Sequence, residues 1–322
     1  MNRLQRMLIL MLAGICAGSA AAQIYPAKPI RLIVPFAPSG GTDLLARTLA
    51  LKLTEAWGIG VVVDNRAGGS GNTGTDMVAK SQPDGYTLLM GYVGNLAINP
   101  FLFRRLPYDS VKDFAPVTLA ATAPNVLVAH PSLAVAGVKD VIALLRANPD
   151  KFNYASAGNG TVGHMVAELF KTSTATRITH IPYKGNGAAI TDTLAGNVQF
   201  MFSAPATVLQ HIKGGRLRGI ATSSSRRVHG LDEVPTFTEA GHPAVQALAW
   251  YGVLAAGGTP SAIVTRLNGE LVRILHVRDV RERFAGLGYD AAGSTPAEFA
   301  DLIKTDREKW QKVVKASGAR VD

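Results

Sequence analysis

The fold is decided by the stretch Ile30-Arg31-Leu32-Ile33-Val34-Pro35-Phe36-Ala37-Pro38-Ser39-Gly40-Gly41-Thr42-Asp43. A run rich in Ile, Leu and Val passes into a Ser/Gly loop, and a helical segment begins at Asp43. Buried parallel strands read as continuous apolar runs, and a glycine loop after such a strand opens the next helix. The stretch therefore predicts one strand–loop–helix unit of an α/β fold.

The same order of strand, loop and helix recurs along the chain. The further strands precede loops rich in Gly, Ser and Asn, and the recurring units are Val61-Val62-Val63 before Gly68-Gly69-Ser70-Gly71 and a helix near Thr75, Thr87 to Met90 before Gly91 to Asn95, Phe152 to Ala155 before Gly158-Asn159-Gly160, Ile178 to Ile181 before Lys184-Gly185-Asn186-Gly187, and Val198 to Phe202. Alternating strands and helices predict parallel sheets covered by helices.

The loops of these units predict an anion-binding site. In open α/β sheets, ligands bind beyond the carboxyl ends of the strands, which is where every one of these loops lies. Backbone N–H groups and the positive end of the helix dipole make such loops attractive to carboxylate or phosphate. Several loops, divided between two lobes, therefore predict a clamp for a small anion.

The N-terminus predicts export. A basic segment with Arg3 and Arg6 precedes the apolar run Met7 to Ile15, and small residues end at Ala22. This is the order of a secretory signal peptide, so we expect cleavage after Ala22 and a periplasmic protein. The alternative is a lipoprotein signal at Cys16, but the preceding Ile15 is bulky where such a signal requires a small residue.

Composition limits the function classes. The formal charge of +10 includes Arg3 and Arg6, and the only cysteine, Cys16, is also in the predicted signal peptide. A mature chain without cysteine excludes disulfides, a thiol nucleophile and cysteine-ligated metal. The basic balance fits an anionic ligand, and no Lys/Arg run longer than Arg226-Arg227 supports nucleic-acid binding. A mature length of about 300 residues predicts two lobes.

Motifs for enzymes are incomplete. Gly158 to Gly163 matches the dinucleotide pattern G-x-G-x-x-G, but no acidic residue lies between Glu168 and Asp192, where the ribose ligand would be. Ser70 lacks the last glycine of a hydrolase elbow. The seven histidines, including His164 just after the glycine loop, form no H-x-x-x-H pair. We therefore expect a binding protein, not an enzyme, with no metal and no cofactor.

Several segments also resemble one family. Tyr25-Pro26-Ala27-Lys28-Pro29 leads into the opening stretch. It is followed, in the family's order, by Val63-Asp64-Asn65-Arg66-Ala67-Gly68-Gly69, Pro83-Asp84-Gly85-Tyr86-Thr87-Leu88, Tyr154-Ala155-Ser156-Ala157-Gly158, His180-Ile181-Pro182-Tyr183-Lys184-Gly185, His211-Ile212-Lys213-Gly214-Gly215-Arg216-Leu217, Tyr251-Gly252-Val253 and a closing amphipathic helix with Trp310 in its apolar face. This order resembles the Bug receptors, the solute-binding components of tripartite tricarboxylate transporters, over essentially the whole mature chain.

The resemblance implies a fold and its division into lobes. The fold is a two-lobed, type II periplasmic-binding-protein architecture of the α/β class, with the ligand in the cleft between lobes. We place the chain crossings near Asn125 and Ser224. Lobe one would contain residues 23–124 and 225–322, and lobe two residues 125–224.

The resemblance also implies binding residues. A carboxylate would be held by the first loop, its proximal wall would come from the next two loops, and lobe two would hold the distal end of the ligand. The residues implied are Phe36, Ala37, Ser39, Gly40 and Thr42 for the carboxylate; Asn65, Gly69, Ser70, Tyr92 and Asn95 for the proximal wall; and Ser156, Ala157, Asn159, Gly160, Thr161, Tyr183, Lys184 and Asn186 for lobe two.

Two further expectations concern function. The protein would act as a monomer that delivers a small carboxylate to a membrane transporter; the alternative is a sensory protein that reports the ligand to a membrane sensor. Ser203 is a further expected ligand contact: many relatives carry an aspartate at this position, and a serine can only hydrogen-bond neutrally. The solute is therefore expected to be a plain or aromatic carboxylate, not a zwitterionic amino acid.

Overall fold

A computed structural model describes residues 25–321 of the protein. The predicted signal peptide and its cleavage site after Ala22 lie outside the described residues. Among the helices that the structure describes, none is long and apolar enough to cross a membrane.

The first sheet has six strands, which are β1 (Ile30–Val34), β2 (Val61–Asn65), β3 (Thr87–Tyr92), β4 (Phe114–Pro124), β10 (Leu248–Ala256) and β11 (Asp290–Ala291). Their order in the sheet is β11-β4-β10-β3-β1-β2. Strands β1, β2 and β3 are parallel, whereas β10 lies antiparallel to both β3 and β4, and β11 is antiparallel to β4.

The second sheet has five strands, which are β5 (Val126–Ala129), β6 (Asn153–Ser156), β7 (Thr179–Pro182), β8 (Phe200–Ser203) and β9 (Arg218–Thr222). Their order in the sheet is β7-β6-β8-β5-β9. Strand β6 is parallel to β7 and β8, and β5 is antiparallel to β8 and β9. The predicted strand–loop–helix units are parallel within each sheet, and the structure adds antiparallel strands, β10 and β11 in the first sheet and β5 in the second.

Ten α-helices cover the two sheets within residues 25–321. They are α1 (Gly41–Trp57), α2 (Asn72–Ala79), α3 (Asn99–Leu102), α4 (Val138–Ala147), α5 (Val162–Thr174), α6 (Asn186–Leu194), α7 (Pro205–Lys213), α8 (Ser261–Leu275), α9 (Arg278–Gly286) and α10 (Pro296–Ser317). Helix α10 is the predicted amphipathic C-terminal helix, and its Trp310 is fully buried, as expected for a core residue.

The two sheets are joined where the chain crosses between them. The first crossing is Asn125, between β4 and β5. Ser223 links Asn125 to Ala247, which lies directly before β10, the strand that returns the chain to the first sheet. The Asn125 N–H donates to Ser223 Oγ (2.8 Å), and that hydroxyl donates to the carbonyl of Ala247 (2.6 Å). Because Ser223 is fully buried, these bonds are shielded from water and fix the two crossings side by side.

Residues 225–246 pack on the second sheet. Leu231 and Val234 join the apolar cluster that contains Val126 and Met201 of that sheet. The Phe237 ring lies 5.9 Å from Phe170 of α5. These contacts favour a second crossing near Ala247 over the predicted position near Ser224, because residues 225–246 pack on the second sheet.

Candidate functional site

The carboxyl ends of the parallel strands of both sheets face each other. Tyr92 ends β3 in the first sheet, and Val162 begins α5 after β6 of the second sheet; the Val162 N–H donates to the Tyr92 hydroxyl oxygen at 3.0 Å. Gly160 also lies against Asn99 of α3, since a methyl group built on Gly160 would be 2.5 Å from Asn99 Oδ1. The loops singled out in the sequence therefore meet at one cleft.

The first loop leads into a helix N-terminus without a side-chain cap. Helix α1 begins at Gly41 after Gly40 in extended conformation, and among the described residues no side chain caps it. Ser39 is in the left-handed region with φ 68°. The first N–H groups of a helix have no partner within the helix, so this loop presents donors to an anion. Of the five residues predicted here, Phe36, Ala37, Ser39 and Gly40 are partly or fully exposed, while Thr42 is buried.

Asp43, in the first turn of α1, holds this loop in place. Its Oδ2 accepts hydrogen bonds from the Ser39 N–H and from Arg47 Nε, both at 2.9 Å, and its Oδ1 accepts from Asn65 Nδ2 at 2.9 Å. Burial opposes ionisation, but the hydrogen bonds from Arg47, Ser39 and Asn65 outweigh it and lower the pKa of Asp43. The negative charge is thus compensated by the protein.

Asn65 supports the loop through its whole amide. Its Nδ2 donates to the Phe36 carbonyl (3.1 Å) as well as to Asp43, and its Oδ1 accepts from Arg47 Nη2 (3.2 Å). Both hydrogens of Asn65 Nδ2 are donated within the protein and Oδ1 already accepts one hydrogen bond, so the amide can offer a ligand only the second lone pair of Oδ1. These contacts favour a supporting role for Asn65 over the predicted direct contact.

The second loop, Gly68 to Gly71, is in an unusual backbone conformation. All four residues have positive φ, including Ser70 at 55°. Such backbone is favoured only by glycine and persists where neighbours hold it. Asn99 Nδ2 supplies that support by donating to the Ser70 carbonyl (3.1 Å) and to Asn72 Oδ1 (2.7 Å). Gly69 and Ser70 therefore stay at the cleft as predicted candidates for ligand contact.

Asn95 lies beneath this loop and is completely buried. Its Oδ1 accepts from the Tyr92 N–H at 3.0 Å, and its Nδ2 donates to Thr75 Oγ1. Both halves of the amide are used inside the first lobe. The burial and these two bonds favour a structural role for Asn95 over the predicted ligand contact.

An aromatic row crosses the floor of the cleft. The Phe36 and Tyr92 ring centroids are 5.7 Å apart, those of Tyr92 and Tyr251 are 5.1 Å apart, and those of Tyr251 and Tyr289 are 5.3 Å apart. Burial raises the pKa of Tyr92, Tyr251 and Tyr289, so the phenols stay neutral. Sequence reasoning missed Tyr251 and Tyr289 as members of this row; Tyr251 was visible only as part of a family motif.

The loop of the second lobe is partly capped by the protein itself. Thr161 Oγ1 accepts from the His164 N–H (3.4 Å) and donates to the Gly158 carbonyl (2.7 Å). With the Val162 N–H engaged by Tyr92, two donors of the first turn of α5 have protein acceptors. Ser156 is fully buried and contacts the Gly158 backbone, whereas Ala157 and Asn159 are partly exposed. Of the predicted contacts in this loop, Ala157, Asn159 and Thr161 are partly exposed, whereas Ser156 and Gly160 are buried.

Two stacked histidines lie beneath this loop. The His164 and His180 rings are 4.2 Å apart with a 9° angle between planes, and Tyr154 stacks on His180 at 4.7 Å. The Gly160 N–H donates to His164 Nδ1 (3.3 Å), and His180 Nε2 contacts Ser156 Oγ at 2.7 Å. The first of these bonds requires that His164 be neutral with its proton on Nε2. Burial lowers the pKa of His164 to about 3 and that of His180 to about 4.

These shifts predict loss of stability in mild acid. Between the unfolded pKa of about 6.5 and the folded values, the unfolded chain binds more protons, so the free energy of unfolding falls as pH falls. The full contribution is present above about pH 6.5, and each histidine removes up to about 1.4 kcal/mol per pH unit below it. Urea unfolding at pH 7, 6 and 5 measures the slope. His164→Asn, whose Oδ1 can accept the Gly160 N–H, should flatten it; an unchanged slope would contradict the assignment.

The remaining predicted residues lie near α6. The Tyr183 hydroxyl donates to Asp192 Oδ2 (2.7 Å) and its ring packs on the apolar cluster of the second lobe, while part of its surface is exposed, so ligand contact by Tyr183 stays a prediction. Lys184 is exposed. The buried Ser203 donates from Oγ to Asn186 Oδ1 at 3.2 Å. Helix α6 starts after Gly185, and no side chain in residues 25–321 caps its N-terminus.

Among residues 25–321, no group of three or more His, Cys, Asp or Glu side chains could hold a metal ion. The buried Glu168 accepts hydrogen bonds at Oε1 from Tyr154 Oη (3.0 Å) and from Lys171 Nζ (2.8 Å).

Comparison with known proteins agrees with this geometry. The model of the tripartite tricarboxylate transporter family receptor matches residues 45–319. BugT of Bordetella pertussis is 39% identical over 310 residues, 96% of this chain and 95% of BugT. The structure of Rpa4515 of R. palustris with adipate is 35% identical with a TM-score of 0.85, covering 91% of this chain and 98% of that one.

A further solved structure, MatC from Rhodopseudomonas palustris with bound malate, is 30% identical with a TM-score of 0.82 and covers 90% of this chain and 100% of that one. The predicted fold class is confirmed: an α/β protein with two sheets, in the two-lobed architecture that it shares with the periplasmic binding protein BugD (30% identical, TM-score 0.82). Since the family model spans most of the sequence and the cleft is built from the loops of both sheets, the chain belongs to the receptors of the tripartite tricarboxylate transporter family.

Proposed function

We propose that this protein captures a small carboxylate in the periplasm and delivers it to a tripartite tricarboxylate-type transporter. The observation that carries the proposal is the uncapped N-terminus of α1, which opens at the carboxyl edge of the first sheet behind Ser39 and Gly40. Unsatisfied N–H groups and the helix dipole stabilise a carboxylate without a cationic side chain. The bound ligands of Rpa4515 and MatC, adipate and malate, are small carboxylates and support this class.

The proposed contacts in the first lobe are backbone donors. Asp43 is tied back to Ser39, Arg47 and Asn65, so its charge is compensated where the carboxylate would bind. The ligand carboxylate would meet the loop from Phe36 to Gly40 together with Gly69 and Ser70. We propose that the chain works as a periplasmic monomer, with residues 1–22 removed as a signal peptide.

In the second lobe, we propose that the distal end of the ligand meets neutral groups. Ser203 and Asn186 form a hydrogen-bonded pair at the start of α6, and neither carries a charge. Lys184 is exposed next to this pair and is available to a second carboxylate. A ligand ammonium would find no carboxylate in the Ser203–Asn186 pair, so dicarboxylates and aromatic acids fit this site better than zwitterionic amino acids.

Thermal-shift measurements test this assignment. Adipate, malate and benzoate are compared with aspartate and glutamate at equal concentration. A ligand at 100 times its Kd stabilises the folded state by about 2.7 kcal/mol, which raises Tm by about 5 °C in a chain of this size. We expect such a rise with at least one of the plain acids. Stabilisation by the amino acids alone would contradict the ligand class, and no response to any carboxylate would contradict the proposed function.

A further inference from the structure

We propose that Tyr92 is the closure latch of the cleft: its hydroxyl oxygen holds the first helical N–H of α5 from the opposite sheet, while its ring packs on Phe36 of the carboxylate loop. This inference rests on the proposed solute binding. It assigns to Tyr92 a positioning role between the two lobes, in place of the direct ligand contact expected from the sequence.

The bond joins elements that belong to different sheets. Tyr92 is the last residue of β3, which pairs with β1 and β10 in the first sheet. Val162 is the first residue of α5, which follows β6 of the second sheet. The 3.0 Å distance from the Val162 nitrogen to the Tyr92 hydroxyl oxygen therefore requires that the two sheet edges lie this close together. Moving the edges apart must break the bond.

The surrounding packing is consistent with a close approach of the two lobes. A methyl group built on Gly94 would lie 2.8 Å from the Gly160 carbonyl oxygen, and one on Gly160 would lie 2.5 Å from Asn99 Oδ1. Glycine at both positions removes the side chains that would hold the backbones apart. Asn99 is completely buried, and its Oδ1 lies against Gly160. This oxygen has no hydrogen-bond partner among the described residues.

The latch is also connected to the carboxylate loop. The Tyr92 ring meets the Phe36 ring edge to face, with 5.7 Å between centroids and 85° between planes. The Phe36 carbonyl is in turn held by Asn65 Nδ2, which also contacts Asp43. A carboxylate that orders the first loop therefore restrains Phe36, and through the ring contact it restrains Tyr92 in the position that caps α5.

Tyr92→Phe removes the hydroxyl and keeps the rings. Without this hydrogen bond, the lobes separate more often and the Val162 N–H has no acceptor when they are close. We therefore expect amide exchange of residues 158–165 to be about tenfold faster than in the wild type. Hydrogen–deuterium exchange with mass spectrometry measures this without any ligand. Adipate should slow exchange of the same segment in the wild type and slow it less in Tyr92→Phe, with an affinity about 5–15-fold weaker.

Tyr86→Phe is the matched control. The Tyr86 hydroxyl oxygen accepts the Ala27 N–H at 2.9 Å, so the same substitution removes the same kind of bond inside the first lobe. Exchange of residues 158–165 should stay at the wild-type rate in this control. Equal exchange in wild type and Tyr92→Phe would overturn the latch. If Tyr92→Phe exchanges faster but no carboxylate affects the wild type, the latch stands and the proposed function fails.

Discussion

Asp43→Ala is expected to weaken carboxylate binding by 100-fold or more, although it removes a negative charge from an anion site. The substitution leaves the Ser39 N–H, Asn65 Nδ2 and Arg47 Nε without their common acceptor. A hydrogen bond to a charged group contributes about 1.5–3 kcal/mol. Of the three donors, the Ser39 N–H belongs to the loop itself, and Asn65 Nδ2 also holds the loop through the Phe36 carbonyl. The loss of loop order therefore exceeds the gain from removing like-charge repulsion.

The loop has a specific reason to depend on Asp43. Ser39 is held with φ 68°, a conformation that a non-glycine residue adopts only when its surroundings enforce it. The bond from its N–H to Asp43 Oδ2 is that restraint. Isothermal titration with the carboxylate that stabilises the wild type most measures the affinity, and urea unfolding measures a stability loss of about 2–4 kcal/mol.

Two variants separate the causes. Asp43→Asn keeps one acceptor oxygen without the charge, so its affinity should lie between those of wild type and Asp43→Ala. Glu55→Ala removes an exposed carboxylate from the same helix, where it pairs with Lys52 at 3.2 Å, and should change affinity less than twofold. Tighter binding by Asp43→Ala would show that repulsion, not loop order, dominates at this position.

Gly41→Ala is expected to be the second most damaging change. A methyl group at the first residue of α1 would overlap the Tyr289 hydroxyl oxygen and lie 2.9 Å from its Cζ. Tyr289 is buried and its ring meets the Tyr251 ring edge to face at 5.3 Å, so it can make room for the methyl group only by disturbing this packing. Overpacking of this kind costs about 1–3 kcal/mol, which corresponds to about 5–150-fold in affinity if the helix N-terminus shifts.

A second substitution should partly restore the site. Tyr289→Phe in the Gly41→Ala background removes the overlapping oxygen, so we expect the double variant to bind more tightly than Gly41→Ala alone. Gly269→Ala, in α8, is the control because a methyl group there meets no atom within 4 Å. It should leave affinity unchanged and leave Tm equal or higher, since alanine is the better helix former. Titration and thermal unfolding of the four proteins provide the comparison; absence of rescue would contradict overlap with Tyr289 as the cause.

The amount of the fold that the sequence predicted varied with the kind of element. The strand Ile30–Val34 and the helix of Trp310 agree with the structure to within a few residues, since their periodicity is strong and local. Strands β4 and β10 were not predicted as antiparallel crossing strands. Their direction in the sheet depends on partners more than 100 residues away, such as Leu254 of β10 opposite Pro116 of β4, and local periodicity does not report such pairing.

For the candidate site too, the sequence predicted some features and not others. It indicated the loops at the strand ends, because positive φ and close approach of two backbones require glycine, and glycine-rich loops are visible in the local sequence. Which side chains reach the cleft could not be predicted. Asn95 and Tyr183 carry polar groups that suit ligand contacts, yet Asn95 bonds Thr75 beneath the loop, and Tyr183, which precedes α6, bonds Asp192 of that helix. Those partners are chosen by packing.

The sequence by itself determined the α/β class, the loops that present helix N-termini, and the family. Each follows from short-range preferences: apolar runs form strands, and glycines permit the turns that open helices. Only the tertiary structure decided that the charge of Asp43 is compensated by Arg47, and that Tyr92 reaches across to Val162. The physical reason is that a hydrogen bond between lobes depends on how two sheets pack, and packing is a property of the whole chain.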